Sequence, residues 1–484
     1  MAAKRKKKSA SSPGGRYLRK FTLQNVRTFR SPVTLDFCHP DGSVAQWTVI
    51  LGENGTGKTT LLQYLAGMMP TKMHNSISSS ENIEQSFGPK CADPDWQTWH
   101  AANLPSWPAK TTIEARLFVS PVSPNRDFSR PHEELANEII RLSYTFHPAK
   151  GGEYAQVVRL GTWRKHSADY PNCFRLFGYG AGRHIASGAS PYLTSETFFQ
   201  NGGSEPTSTL FHDDYPLISP EQWFLGLDHV SKGEGESALN AKRALASAKR
   251  CFTNTLPDIQ SICIKPHVGN KGLTTMALMC TTPFGEVPFS SLSVGYRTMA
   301  AWLTDFVKRM HESFPDLEEP DNGPAVVLID EFDLHMHPQW QREAMAAISK
   351  EFPNTQFIVT AHSPIVVQAT EGNAKLIVLR RKKRPDGLEE VEVVDNPEFA
   401  AGWRLDQIME SVYGMTPRMP EYSKLVNRRI ELLKKEKLSK PEAAELKRIE
   451  AQVSEQAAPQ ESEASKWLLH KLQEALKESS KTGK

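Results

Sequence analysis

The chain has 484 residues, with 58 Lys and Arg against 55 Asp and Glu, a net charge of +3 and 39% hydrophobic residues. That length suits two or three domains with substantial cores. No run approaches 18 consecutive apolar residues, which excludes a hydropathic membrane span, and the six cysteines form no CxxC pair, which argues against a zinc site or a disulfide framework.

The charge is uneven. Residues 1–20 carry Lys4, Arg5, Lys6, Lys7, Lys8, Arg16, Arg19 and Lys20 and no acid. Residues 1–16 read as a disordered basic tail, either simply solvated or gripping nucleic-acid phosphates. No apolar signal core follows, so the expectation is a cytoplasmic protein without membrane contact. Alternation then predicts strands over Tyr17–Leu23 and Val33–Phe37.

Trp47–Leu51 reads as a buried strand, and residues 52–59 follow as Gly-Glu-Asn-Gly-Thr-Gly-Lys-Thr, a full GxxxxGK[ST] loop. Thr60–Ala66 has helical spacing. A strand, glycine loop and helix N-terminus aim backbone N–H groups at one point, where they can cradle polyphosphate. Gly52, Glu53, Asn54, Gly55, Thr56, Gly57, Lys58, Thr59 and Thr60 are the candidate nucleotide ligands. Lys58 would reach the β- and γ-phosphates, and Thr59 would place its hydroxyl on Mg²⁺.

Residues 70–110 read as a surface insertion. A strand is expected at Thr112–Val119, a helix at His132–Leu142, and strands at Tyr154–Leu160 and Phe174–Tyr179. Pro220–Leu256 reads as largely helical. Strands follow near Ile259–Lys265 and Thr274–Cys280, with a turn at Pro283–Pro288.

Ser291–Arg297 precedes a helix at Met299–Met310. Ser293 and Gly295, backed by that helix N-terminus, form a candidate anion site; an ordinary cap is the bland alternative. Ala325–Glu331 is an apolar strand ending in two acids. Asp330 would hold Mg²⁺, and Glu331 would act as general base on the attacking water. Thr355–Thr360 is another apolar strand, and His362 after it is placed to sense a γ-phosphate. A last strand is expected at Ala374–Leu379, then a basic run at Arg380–Arg384, a helical hairpin within 421–456 broken at Leu438–Pro441, and a helix at Glu463–Lys477.

Taken in order, these motifs resemble the ABC-type ATPases of the SMC, RecF and overcoming-lysogenization-defect class, over roughly residues 17–70 and 174–372. Phe21–Phe29 is similar to that class's opening strand, and Asp330–Pro338 to its extended acidic motif, with His337 in the dimer-contact loop. Gly178–Arg183 and Pro216–Phe224 resemble a bacterial subgroup containing ATPase subunits of anti-phage systems, of the Septu type and beside retrons. The resemblance implies ATP with Mg²⁺, and Ser293 and Gly295 meeting ATP on a partner's phosphate loop. The implied partners are a second copy in a head-to-tail dimer, a nuclease or other effector protein, and nucleic acid (DNA or retron RNA and DNA). A DNA-repair ATPase and a transporter's ATP-binding subunit are the alternatives.

The expected fold class is α/β: an ABC-type P-loop ATPase head with inserted α/β segments and a C-terminal helical extension. Its parts are 17–69 with the phosphate loop, 70–290 as the inserted and helical-lobe region, 291–379 with the remaining motifs, and 380–484 as a helical region for partner contact or dimerisation. The class's long coiled coil and C-terminal Toprim nuclease find no match in the sequence. Its glutamine loop has no clear position: Gln97 and Gln63 are both poor fits. Arg183 reads as a phosphate or trans-acting arginine or, equally, as a surface ion pair. Arg27 touches nucleotide by analogy with the class. His335 and His337 form an HxH pair that could ligate a metal or simply sit in a loop.

Overall fold

Apolar runs and their glycine punctuation set the architecture. The computed structural model describes residues 16–67, 70–72, 87–89, 111–119, 139–148, 154–159, 175–183, 185, 206–268, 274–370, 374–395, 404–415, 420–435 and 438–456. The described residues open on β1 (Arg16–Gln24), so Arg16, expected in the basic tail, lies in a strand. β1 pairs antiparallel with β2 (Val33–Asp36), Phe21 facing Leu35 and Leu23 facing Val33. β3 (Trp47–Gly52) runs into the glycine loop and α1 (Lys58–Ala66). β4 (Pro70–Lys72) and β5 (Phe87–Pro89) make a small antiparallel pair.

β6 (Thr111–Val119), β7 (Ile139–Pro148) and β8 (Tyr154–Arg159) extend the first sheet in the order β2-β1-β6-β7-β8. A register irregularity between Leu18 and Lys20 breaks the alternation of β1, and Tyr17 and Leu18 are both buried there. The helix expected at His132–Leu142 is corrected where the structure describes it. Ile139–Leu142 belong to β7 and pair with β6, as suits a run of β-branched and aromatic residues; 132–138 lie outside the described residues.

β9 (Leu176–Tyr179) enters a second sheet. The expected helical stretch at 220–256 is two helices, α2 (Pro220–Ser231) and α3 (Glu236–Thr255), separated near Gly235, whose φ of 88° suits only glycine well. β10 (Ser261–Val268), β11 (Thr274–Thr282) and β12 (Gly285–Pro288) form an antiparallel sheet, so the expected turn narrows to Pro283 and Phe284. α4 (Val294–Ser313), β13 (Ala325–Ile329), α5 (Pro338–Glu351), β14 (Thr355–Ala361), α6 (Pro364–Ala369), β15 (Ala374–Lys383) and β16 (Glu389–Asp395) complete this part.

The second sheet has the order β16-β15-β3-β14-β13-β9. Every pairing in it is parallel except β15 with β16. β3, β13 and β14 are buried along their whole lengths, which is why they read as unbroken apolar runs rather than alternating ones. Trp47 stacks on Phe357 with centroids 4.3 Å apart, and Phe306 of α4 packs on Phe352 at 4.6 Å. Because the inner strands are parallel, their carboxyl ends open along one edge, where α/β sheets bind ligands.

The strand expected to end at Leu379 continues through Lys383. Arg380–Lys383 therefore lie in β15, and the helical reading of 380–484 is corrected at its start. The turn Pro385-Asp386-Gly387 returns the chain as β16: Gly387 has φ 80°, and Asp386 Oδ1 accepts the Leu388 N–H at 3.1 Å. Arg380 faces Glu392, Lys382 faces Glu390 and Lys383 faces Glu389, so acids sit across the basic run.

The chain divides into two compact units, 1–408 and 409–484. α7 (Leu405–Ser411) lies at the division. In the second unit, α8 (Pro420–Leu433) and α9 (Lys440–Gln456) form the expected hairpin, with Arg428 bidentate to Glu445 at 2.9 and 3.0 Å. The helix expected at Glu463–Lys477 lies outside the described residues. No helix of the described residues is long and apolar enough to cross a membrane.

Candidate ATP site

The glycine loop leaves β3 at Gly52, where a Cβ would meet the Thr56 hydroxyl at 2.7 Å and the Leu379 carbonyl at 2.9 Å. Gly57 has φ 90°, and a Cβ there would meet Thr28 Oγ1 at 2.6 Å. Both backbone and space therefore demand glycine at Gly57. Thr56 is buried and donates to the Glu53 carbonyl at 2.8 Å, which ties the loop across its own turn. Outside it, Arg381 donates to the Asn54 carbonyl at 2.5 Å and lies 3.4 Å from the Glu53 carboxylate.

Lys58 is 7% exposed, and its Nζ donates to the carbonyls of Gly52 at 2.7 Å and Glu53 at 3.1 Å. Burial lowers its pKa, and the carboxylates of Asp330, Glu331 and Asp333 pull the other way. The ammonium is thus held inside the loop, facing acids.

Those acids follow β13. Thr59 donates its hydroxyl to Asp330 Oδ2 at 2.5 Å, and Thr360, from β14, donates to Asp330 Oδ1 at 2.5 Å. The Thr360 hydroxyl also accepts the Glu331 N–H at 2.8 Å. Glu331 has φ 48°, a left-handed backbone that costs a glutamate about 1–3 kcal/mol and persists only when its surroundings hold it. Thr360 holds its N–H, and Arg183 Nη2 donates to its carbonyl at 2.8 Å. Asp333 Oδ2 accepts the backbone N–H groups of His362 at 3.0 Å and Ser363 at 2.6 Å, joining the histidine's loop to the acidic loop.

Lys58, Thr59, Asp330 and Glu331 are therefore brought together, with His362 attached through Asp333. Ser293 and Gly295 stand elsewhere. Ser293 caps α4 by position only, with no side-chain bond to the helix, and is exposed. Gly295 lies against the acidic loop, where a Cβ would strike the His335 carbonyl at 2.3 Å. Among the described residues no hydrogen bond joins either to the glycine loop. Thr60 is turned aside: its hydroxyl accepts from Arg27 Nη1 at 3.0 Å.

Thr59 and Asp330 offer hard oxygen donors at one point, a donor set that fits Mg²⁺ held mainly by water and phosphate. Among the described residues no group of three or more His, Cys, Asp or Glu could hold a metal ion. His337 instead caps α5, its Nδ1 accepting the Gln339 N–H at 3.4 Å. Gln63 faces the Leu210 carbonyl at 2.7 Å, and Gln97 lies outside the described residues.

Sequence reasoning gave no role to Thr360 or Asp333, and it placed Arg381 only in a basic run offered for nucleic-acid contact. A hydroxyl ending the buried β14 run just before His362 was a signal for Thr360, and the third acid of Asp330-Glu331-Phe332-Asp333 was one for Asp333. The surface ion-pair reading of Arg183 is corrected: the residue is 3% exposed and bonds a backbone carbonyl.

Comparisons with known proteins meet this geometry at the same places. A family profile described as "AAA domain, putative AbiEii toxin, Type IV TA system" matches residues 285–368, and one described as "AAA domain" matches residues 20–87. The first stretch holds the acids, His362, Ser293 and Gly295; the second holds the glycine loop. The chain is 22% identical over 443 residues to the Septu protein PtuA of Bacillus mycoides (strain KBAB4), covering 91% of this chain and 50% of that protein. It is 44% identical over 82 residues to the "Retron Vc95 probable ATPase" of Vibrio cholerae serotype O1 biovar El Tor, covering 17% of this chain and 16% of that protein. It is 30% identical over 210 residues to the Septu protein PtuA of Bacillus thuringiensis, covering 42% and 50%. The matches span half or less of each of these relatives. Among solved structures, an SMC head bound to the C-winged helix domain of ScpA aligns at TM-score 0.40 and 14% identity, covering 78% of this chain and 98% of that one. The SMC head domain from Thermotoga maritima aligns at 0.37 and 15%, with the same coverages. The chain thus carries P-loop ATPase sequence matching AAA-domain profiles over residues 20–87 and 285–368, and it is similar to the Septu protein PtuA and to retron probable ATPases.

Proposed function

We propose that this chain is the ATP-binding and ATP-hydrolysing switch subunit of a bacterial anti-phage defence complex. It pairs head to tail with a second copy and controls a nuclease or other effector protein. The observation that carries the ATPase reading is the chain of bonds Thr59–Asp330–Thr360–Glu331, which ties the acidic turn after β13 to the end of the glycine loop. The defence setting is supported by the similarity to Septu and retron proteins.

In this reading Lys58 and the loop N–H groups bind the β- and γ-phosphates, and Thr59 and Asp330 hold Mg²⁺, which neutralises charge on the phosphates when bound. Glu331 takes the proton of the attacking water, with its backbone fixed at both ends by Thr360 and Arg183. His362 contacts the γ-phosphate. Ser293 and Gly295 serve the partner's ATP: they stand at the start of a 20-residue helix, Ser293 is exposed there, and among the described residues neither hydrogen-bonds to its own glycine loop. ATP then favours closure because its γ-phosphate contacts both chains, and hydrolysis removes that preference.

Nucleic-acid contact, if the complex makes it through this chain, is assigned to the basic run in residues 1–20. Arg380–Arg384 are a weaker candidate, because Lys382 pairs with Glu392 and Arg384 with Asp386 and Glu390.

The test is mass photometry of Glu331→Gln with and without ATP and Mg²⁺. Binding without turnover should trap paired copies, and the pairs should disperse when ATP is withdrawn. A chain that binds ATP yet stays single in this variant contradicts the paired switch.

A further inference from the structure

We infer that Arg183 is a γ-phosphate-binding residue acting within its own chain, a second cation across the acidic cluster from Lys58. The inference rests on the ATP reading above and names a ligand group which that reading leaves out.

Topology brings Arg183 to the site. β9 is parallel to β13, with Tyr179 opposite Ile329, so the chain leaving β9 emerges beside Asp330. The turn Gly180–Arg183 is then pressed against 207–213. The Gly180 N–H donates to Thr209 Oγ1 at 3.1 Å, and a Cβ on Gly180 would lie 1.9 Å from the Thr209 carbonyl oxygen. A Cβ on Gly182 would lie 2.7 Å from the Asp213 carbonyl oxygen. Two glycines let this turn pack without side chains and deliver Arg183 inward, where it is 3% exposed.

The guanidinium is under-satisfied there. Nη2 donates to the Glu331 carbonyl, but Nε and Nη1 are buried with no acceptor among the described residues. Buried N–H groups on a cation are normally paired, because leaving them unpaired forfeits their hydration. The carboxylates acting on Arg183 are Asp330, Glu331 and Asp333, the same acids that act on Lys58. Yet Arg183 forms no ion pair with any of them among the described residues, and Asp333 Oδ1 is itself buried without a partner. Burial lowers the Arg183 pKa to about 10 while the acids oppose it, so the group stays charged at neutral pH.

Two cations thus flank one set of acids. One closes on loop carbonyls, and the other keeps two donor nitrogens, Nε and Nη1, in reserve. A planar fork with free donors suits the oxygens of a terminal phosphate. ADP lacks that phosphate, so Arg183 separates the nucleoside triphosphate from the diphosphate.

The test uses the full chain carrying Glu331→Gln, to prevent turnover, and titrates fluorescent ATP and ADP analogues with Mg²⁺. Arg183→Met should weaken the ATP analogue by about tenfold or more while leaving ADP within about twofold. Arg183→Lys should recover part of the loss. Lys58→Ala should weaken both nucleotides. Equal weakening of ATP and ADP by Arg183→Met and Arg183→Lys would reduce Arg183 to a packing residue and overturn the inference. No change in either would leave it supporting only the Glu331 carbonyl, which also overturns it. Should Arg183→Met not fold, as read by thermal unfolding, the ATP-to-ADP affinity ratio of Arg183→Lys decides alone. A parent chain that binds neither nucleotide refutes the ATP reading itself.

Discussion

Glu331 shows how a single strained residue is held in place. Its left-handed backbone is unfavourable for a glutamate, and bonds from Thr360 and Arg183 grip its N–H and carbonyl. Thr360 also bonds the Asp330 carboxylate, so one hydroxyl joins that acid to the Glu331 backbone. Thr360→Val keeps the side chain's shape and removes both bonds. Losing them should cost about 1–3 kcal/mol in the transition state, a fall in kcat of about 10- to 100-fold, with ATP affinity nearly unchanged. Thr360→Ser should retain most of the rate. Steady-state ATP turnover with parallel binding titrations checks this; an equal loss in both Val and Ser variants would show that the methyl, not the hydroxyl, matters. These bonds were not legible in the sequence, because they join positions about 30 residues apart whose adjacency exists only once β13 and β14 pair. The glycine loop was legible, since its chemistry is local and consecutive.

At the scale of elements, α3, α4, α5 and the turn before β13 meet around buried charged side chains. Asp321 Oδ2 accepts from the Ser247 hydroxyl and from Arg250 Nη2, the latter at 2.9 Å; Arg250 Nε also pairs with Glu351 at 3.0 Å. Asp321 Oδ1 lies 3.6 Å from His311 Nε2, too far for a good hydrogen bond, and both atoms lack other partners. Burial pushes the Asp321 carboxyl up to about 6, against the Ser247 and Arg250 bonds. Burial, then Arg243 and Arg250, push His311 down to about 4 from 6.5. The signs oppose. Asp321 contributes stability that is full below about 3.8 and is lost as pH rises through about 6. For His311 the unfolded chain takes up the proton first, so stability is lost as pH falls from about 6.5 to about 4. His311→Gln removes only the second effect. Its stability relative to wild type should rise by about 1–3 kcal/mol across that interval, read by urea unfolding at pH 7 and pH 4.5. Parallel pH profiles would contradict it. The strands of the parallel sheet were legible as unbroken apolar runs. The β16 hairpin was not, because Glu389, Glu390 and Glu392 interrupt its apolar residues, and their facing of Arg380–Lys383 exists only once the two strands pair.

At the scale of the whole molecule, the ATPase head carries its phosphate loop, acids and histidine on one sheet edge. The exposed Ser293 and the neighbouring Gly295 form no bond with that loop. The proposal is that another copy supplies Ser293 and Gly295 to complete this site, which is the account's central claim. The sequence suggested it through motif order alone; in the structure Gly295 packs against the His335 carbonyl of its own chain, while Ser293 is exposed.

The most direct test mixes two inactive variants. Lys58→Ala removes the ammonium at the phosphates, and Ser293→Arg blocks the face offered to the partner. Each alone should turn over almost no ATP. Mixed and allowed to exchange, they should regain turnover, because a mixed pair contains one site with an intact Lys58 from one chain and an intact Ser293 from the other. Turnover by Ser293→Arg alone at the wild-type rate, or none in a mixture shown to form mixed pairs, would contradict the shared site.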